Sequence, residues 1–122
     1  MKNISILGAT GSIGQNTLDL ISSEKNKFKV VGLTGSNNID LLAKNAIMFN
    51  AEVVATANDS KFHDLKEMLS GHKIEVCAGK NGVLEVASQQ ADWVMSSIVG
   101  SAGLLPGLKA LEAGANLALA NK

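Results

Sequence analysis

Gly8, Gly11 and Gly14 lie three residues apart within Gly8-Ala9-Thr10-Gly11-Ser12-Ile13-Gly14. A turn of this kind does its chemistry with the backbone. Gly8 permits a tight turn, and Gly11 lets the main chain approach a diphosphate with no Cβ in the way. Gly14 allows a following helix to pack close. A helix that opens here presents unpaired N–H groups and about half a positive charge to an anion. The hydroxyls of Thr10 and Ser12 add donors. The spacing is G-x-x-G-x-x-G rather than the commoner G-x-G-x-x-G, and no Gly-Lys-Ser/Thr ending follows. It therefore points to the pyrophosphate of a dinucleotide and not to ATP hydrolysis. The plainer alternative is a glycine turn that serves only the fold. A strand, the turn and a helix in that order favour the ligand.

A second polar segment bears on which dinucleotide is held. An NAD site places Asp or Glu about 20 residues past the glycines, to hold the ribose 2′-hydroxyl. Here the segment reads Thr34-Gly35-Ser36-Asn37-Asn38, and no acid appears before Asp40. A carboxylate would repel a 2′-phosphate, whereas hydroxyl, amide and backbone N–H donors accept one. NADP is favoured, although the loop carries no Arg or Lys.

The elements that position these residues alternate. Ile4, Ile6 and Leu7 belong to a short strand ending at Gly8. From Ser12 a helix follows, with Ile13, Thr17, Leu20 and Ile21 on one face. Phe28 to Leu33 is a strand, and Ile39 to Phe49 a helix using Leu41, Leu42 and Ile47. Ala51 to Ala55 is the third strand. Asp59 is the expected cap of a helix with a Phe62, Leu65, Met68 and Leu69 stripe, closed by Gly71. Lys73 to Cys77 is a strand, and Asn81 the expected cap of a helix carrying Val83, Val86 and Ala87. Trp93 to Met95 is a strand that exits through Ile98-Val99. Leu104 to Ala113 reads as a helix with Pro106 in its first turn and Gly114 at its stop. Asn116 to Ala120 is the last strand. This rhythm predicts a Rossmann-like, doubly wound α/β fold, its mainly parallel sheet covered by helices on both faces. The strands are apolar on consecutive positions, as such a sheet requires.

Composition narrows the partners. The 122 residues suit one domain, here residues 1–122, and 46% apolar content with zero net charge indicates a packed core. That charge balance offers no basic field, and 3% aromatics leave little for stacking bases. Nucleic acid and membrane partners are therefore not expected. The sequence has no run of about 20 apolar residues and no signal-peptide pattern. With Cys77 as its one cysteine, a reduced cytoplasmic compartment fits best. Because the chain ends directly after a strand, it reads as a fragment.

Other side chains have bland readings. Cys77 is expected as a small buried hydrophobe, and Trp93 as core. Met48, Met68 and Met95 fill gaps in the core. His63 and His72 are solvated, and Lys61, Asp64, Lys66 and Glu67 form a wet helix face.

With Gly8-Ala9-Thr10-Gly11-Ser12-Ile13-Gly14 followed by Thr17-Leu18-Asp19, the chain closely resembles the 1-deoxy-D-xylulose 5-phosphate reductoisomerases. The likeness recurs from Trp93 through Ser96, Ser97, Ile98, Val99 and Gly100 to Pro106, and again at Ala118-Leu119-Ala120-Asn121-Lys122. The resemblance implies NADPH as cofactor. Thr10, Gly11, Ser12 and Ile13 would hold the pyrophosphate, and Ser36, Asn37 and Asn38 the adenosine ribose phosphate. This sequence has Asn37 where the family often has lysine. Asn121 would contact the nicotinamide end, Lys122 the substrate, and Ser96 to Gly100 would line the cleft. The resemblance further implies a homodimeric parent about three times longer, with Asp and Glu ligands for Mg²⁺ or Mn²⁺ in a second domain beyond Lys122. No catalytic or metal-binding residue falls on this chain, which alone would be inactive. In the parent, a phosphosugar would be rearranged and then reduced by NADPH to 2-C-methyl-D-erythritol 4-phosphate, in non-mevalonate isoprenoid biosynthesis.

Three rivals share the opening turn or the ligand. A short-chain dehydrogenase or sugar epimerase would need a catalytic tyrosine, and the chain has none. An aspartate-semialdehyde dehydrogenase would need a nucleophilic cysteine after the cofactor domain, and Cys77 comes too early. A non-catalytic dinucleotide-sensing module is the third.

Overall fold

The computed structural model describes residues 2–24, 26–98 and 114–119. Strand and helix alternate as β1 (Lys2–Leu7), α1 (Ser12–Ser22), β2 (Phe28–Gly35), α2 (Ile39–Met48), β3 (Val53–Thr56), a 3-10 turn (Asp59–Lys61), α3 (Phe62–Met68), β4 (Glu75–Ala78), α4 (Gly79–Ala87), β5 (Trp93–Ser96) and β6 (Asn116–Leu119). The strands form one six-stranded sheet in the order β4-β3-β2-β1-β5-β6, with every pairing parallel. The expected Rossmann-like fold is present. The chain winds outward from β1 to β4 and then returns to β1's other side with β5. The order therefore reverses between β1 and β5, where open α/β sheets bind ligands beyond their carboxyl ends.

Two apolar layers explain the consecutive hydrophobic residues of the strands. On one face, Ile4, Ile6, Val30, Leu33 and Val54 pack under Leu18 and Ile21 of α1, Leu42 and Ala46 of α2, and Leu65 of α3. On the other, Leu7, Val53, Ala55 and Val94 pack under Val83, Val86 and Ala87 of α4. Burying side chains of this size is worth about 1.5–3 kcal/mol each. Gly32 lets α4 settle on the sheet, since a Cβ there would lie 2.6 Å from Val86 Cγ1. The β1–β2 register slips between Ile4 and Ser5, where β2 inserts one extra residue.

Several helix details differ from the expectation. The buried face of α1 is Gly14, Leu18 and Ile21, whereas Leu20 is 71% exposed. Gly14 is the cause. A Cβ there would lie 2.4 Å from Gly8 O and 2.6 Å from Ala9 Cα, so the helix touches the turn at that point. This contact sets the rotation of α1 and turns Leu20 outward. In α2 the inward positions are Ile39, Leu42, Ala43 and Ala46, which puts Ile47 and Met48 on the exposed side. Met68 is exposed for a similar reason, because Leu65 and Leu69 take the inward positions around α3.

The caps also move. Asn58, not Asp59, accepts the Ser60 N–H at 3.1 Å, so the entry to α3 is a capped 3-10 turn. Asn81 lies inside the first turn of α4, because Gly79 with φ +75° turns the chain into that helix two residues earlier. Trp93 stands at the entry of β5, where the buried positions are Val94 and Ser96, and is 41% exposed. Cys77 is only partly buried. Met95 packs against the first core layer, and His63 is solvated as expected. Gly71 has the expected left-handed φ of +86°. The helix expected over Leu104 to Ala113 lies outside the described residues. No helix among the described residues is long and apolar enough to cross a membrane.

Candidate dinucleotide site

The carboxyl ends of β1, β2, β3 and β5 open onto a cleft of about 500 Å³. Thr10, Gly11, Ser12 and Ile13 line one side and Ser36 another, so five of the expected site residues converge. Ser97 and Ile98, from the expected cleft segment after β5, line it as well.

The glycine turn is held from both flanks. Gly8 N–H donates to Thr34 Oγ1 at 2.9 Å, and Ala9 N–H donates to Thr34 O at 2.7 Å. From the opposite side Ser97 N–H donates to Leu7 O at 2.9 Å, and Ser97 Oγ donates to Gly8 O at 2.9 Å. Gly8 itself has φ +83°, a conformation that favours glycine. Its added Cβ would also lie 2.6 Å from Ser97 Oγ. The turn is thus tied to β2 on one side and to the residue after β5 on the other.

The three motif glycines separate by role. Gly8 and Gly14 are required by the fold, through a positive φ and backbone crowding respectively. Gly11 is not. Its φ of −79° and ψ of 173° suit any residue, and an added Cβ would meet only Gly8 O at 3.8 Å. The absence of a side chain at Gly11 therefore leaves open room above the turn that the protein's own packing does not need.

The opening of α1 faces that room. The first bond within the helix is from Gln15 N–H to Gly11 O at 2.9 Å, and Gly11 supplies no side-chain cap. The N–H groups of Ser12, Ile13 and Gly14 consequently have no partner within the helix, and no acidic residue occupies its first turn. None of the described residues that line the cleft is ionisable, so what they offer an anion is these amides, the hydroxyls and the helix dipole.

The second expected segment forms the rim. Ser36 O accepts from Thr56 Oγ1 at 2.7 Å, which ties the end of β2 to β3. Asn37 and Asn38 are exposed beside Ser36 and are not among the lining residues. Asn38 Oδ1 caps α2 by accepting Leu41 N–H at 3.3 Å, and Asn37 Oδ1 accepts from Asn58 Nδ2 at 2.8 Å. Thr10 sits over Gly35, whose added Cβ would be 3.2 Å from Thr10 Cγ2. Asn121 and Lys122, the expected nicotinamide and substrate contacts, lie outside the described residues, as do Val99 and Gly100.

Sequence reasoning named Thr34 in the polar segment but missed its bond to Gly8, and it missed Ala57 and Val83 as lining residues. Thr34 carried a signal, as a hydroxyl ending an apolar strand 26 residues from Gly8. Ala57 follows β3, and a rule that strand carboxyl ends meet at the cleft would have found it. Val83 belongs to the second core layer and gave no separate signal. Away from the cleft, the Cys77 thiol is pushed up to about 11, first by burial and then by the neighbouring Glu75 and Glu85 carboxylates. It is a poor nucleophile at neutral pH.

Comparison with known proteins agrees with this geometry. A family model described as 1-deoxy-D-xylulose 5-phosphate reductoisomerase matches residues 4–122. A reductoisomerase of that name from Ruegeria sp. (strain TM1040) is 52% identical over 122 residues, and one from Ruegeria pomeroyi is 51% identical. Each match covers 100% of this chain and 31% of the relative's length. The Zymomonas mobilis enzyme, solved in complex with NADPH, superposes with a TM-score of 0.95 at 42% identity, over 98% of this chain and 32% of that one. A DOX-P reductoisomerase in complex with NADPH, fosmidomycin and magnesium gives 0.93 at 35% identity, over 99% and 30%. A sheet that reverses at β1 and β5, an amide-lined cleft at that point and a match along nearly every residue agree: the chain belongs to the 1-deoxy-D-xylulose 5-phosphate reductoisomerase family.

Proposed function

We propose that this chain is the NADPH-binding domain of an enzyme that rearranges and reduces 1-deoxy-D-xylulose 5-phosphate to 2-C-methyl-D-erythritol 4-phosphate. The observation that carries the reading is the unfilled room over Gly11, faced by the free N–H groups of Ser12 and Ile13. In this reading Thr10, Gly11, Ser12 and Ile13 bind the pyrophosphate, with Thr34 and Ser97 keeping the turn in shape. Ser36, Asn37 and Asn38 bind the 2′-phosphate through neutral donors, and Val83 and Ile98 supply apolar wall to the cleft. Asn121 is assigned to the nicotinamide end and Lys122 to the substrate, both on family likeness. Bound in the cleft, NADPH supplies the hydride that reduces the rearranged aldehyde.

Among the described residues no group of three His, Cys, Asp or Glu side chains is placed to hold a metal ion. The same reading carries over a role in non-mevalonate isoprenoid synthesis, a homodimeric parent and a cytoplasmic location.

Calorimetric titration of the chain with NADPH and with NADH tests the cofactor assignment. Tighter binding of NADPH is expected, and equal or tighter binding of NADH would defeat the NADP reading. For the parent reaction, consumption of NADPH on adding 1-deoxy-D-xylulose 5-phosphate to the full-length protein is the corresponding assay.

A further inference from the structure

Two loops meet at the rim of the cleft through their side-chain amides. Asn37 follows the lining residue Ser36, and Asn58 follows the lining residue Ala57. Asn58 Nδ2 donates to Asn37 Oδ1 at 2.8 Å. The two ends of an Asn amide have nearly the same shape, so the neighbours decide which end points where.

Here the neighbours leave one solution. The Ser60 backbone N–H can only donate, and it reaches Asn58 Oδ1 at 3.1 Å. Ser60 Oγ donates to the same oxygen at 2.7 Å. With its oxygen committed to the cap, Asn58 must offer its amino group to Asn37. Asn37 must meet that donor with its own oxygen. Its amino group, with two N–H donors, is thereby turned away from Asn58, and no hydrogen bond among the described residues takes it up.

We infer that Asn58 is a positioning residue for cofactor specificity, which holds the Asn37 amide with its donors outward so that a neutral loop selects a 2′-phosphate. The inference rests on the proposed placement of that phosphate at Ser36 to Asn38. Orientation matters here because none of the described residues that line the cleft is charged. A lysine would attract phosphate in any rotamer, whereas a neutral amide attracts it with one end and repels it with the other. The Asn58–Ser60 cap thus decides the sign of the interaction at Asn37.

The test is a double-mutant cycle on the full chain, read as NADPH and NADH dissociation constants. Asn58→Ser retains a capping hydroxyl and removes the amide donor, so the turn survives. It should weaken NADPH about fivefold, the loss of part of one charge-assisted hydrogen bond, and leave NADH unchanged. In an Asn37→Ala background the same change should have no further effect. Asn58→Asp also keeps the cap, but its second oxygen demands a donor from Asn37 and should weaken NADPH more. Equal losses for both nucleotides, equal losses in both backgrounds, or undiminished NADPH affinity in Asn58→Asp would overturn the inference. A wild-type chain that shows no preference for NADPH would overturn the phosphate assignment beneath it, a result the variants cannot mimic.

Discussion

Replacing Gly11 by valine separates a glycine kept for a ligand from glycines kept for the fold. The backbone at Gly11 is extended, with φ −79° and ψ 173°, a region that suits valine. The nearest atom to an added Cβ is Gly8 O at 3.8 Å, an ordinary contact. A worse residue at the helix cap costs up to about 1 kcal/mol. Restricting the unfolded chain returns about 0.4–1 kcal/mol. The two nearly cancel, so the melting temperature should move by less than about 4 °C.

Binding should respond differently. A side chain over the turn lifts the diphosphate off the N–H groups of Ser12 and Ile13. Losing two hydrogen bonds to a charged group, at about 1.5–3 kcal/mol each, weakens NADPH by roughly 10²- to 10⁴-fold. Gly14→Ala is the mirror experiment. Its Cβ would lie 2.4 Å from Gly8 O and 2.6 Å from Ala9 O, both of them main-chain atoms. Overpacking of that kind costs about 1–3 kcal/mol, enough to lower the melting temperature by roughly 4–12 °C. Titration and thermal melts on both variants complete the comparison. If Gly11→Val binds NADPH within about threefold of wild type, the diphosphate does not lie on this turn. If it melts as low as Gly14→Ala, the sorting of the glycines is wrong.

Two further outcomes follow from packing and ionisation. Leu18→Ala should destabilise by about 2–5 kcal/mol and Leu20→Gln by less than about 0.5 kcal/mol in denaturant titrations, although both lie on α1. Equal effects would contradict the rotation set by Gly14. The raised Cys77 value means that the folded chain keeps this proton between about pH 9 and 11, where the unfolded chain releases it. Stability from this group should be complete below pH 9 and be lost as pH rises to about 11, and thiol-reagent labelling of the folded chain should accelerate over the same window. Rapid labelling at pH 7 would contradict the burial and carboxylate effects on this thiol.

Local pattern already determined much of this molecule. Consecutive apolar runs at β1, β2 and β3 specify a sheet covered on both faces, because each side of such a strand must meet another layer. Gly8, Gly11 and Gly14, followed directly by a helix, announce the tight turn that joins β1 to α1. The acid-free stretch from Thr34 to Asn38 points to NADP, since a carboxylate there would repel a 2′-phosphate whichever way it turned. Tertiary structure decided the rest. The rotation of α1 depended on one close backbone contact at Gly14, which apolar periodicity does not encode, so Leu20 was misplaced. Thr34 and Ser97 clamp Gly8 from 26 and 89 residues away, and Asn58 meets Asn37 from 21. Such partners have no period along the chain. They meet because parallel strands all end on one edge of the sheet, and the order β3-β2-β1-β5 sets those ends side by side.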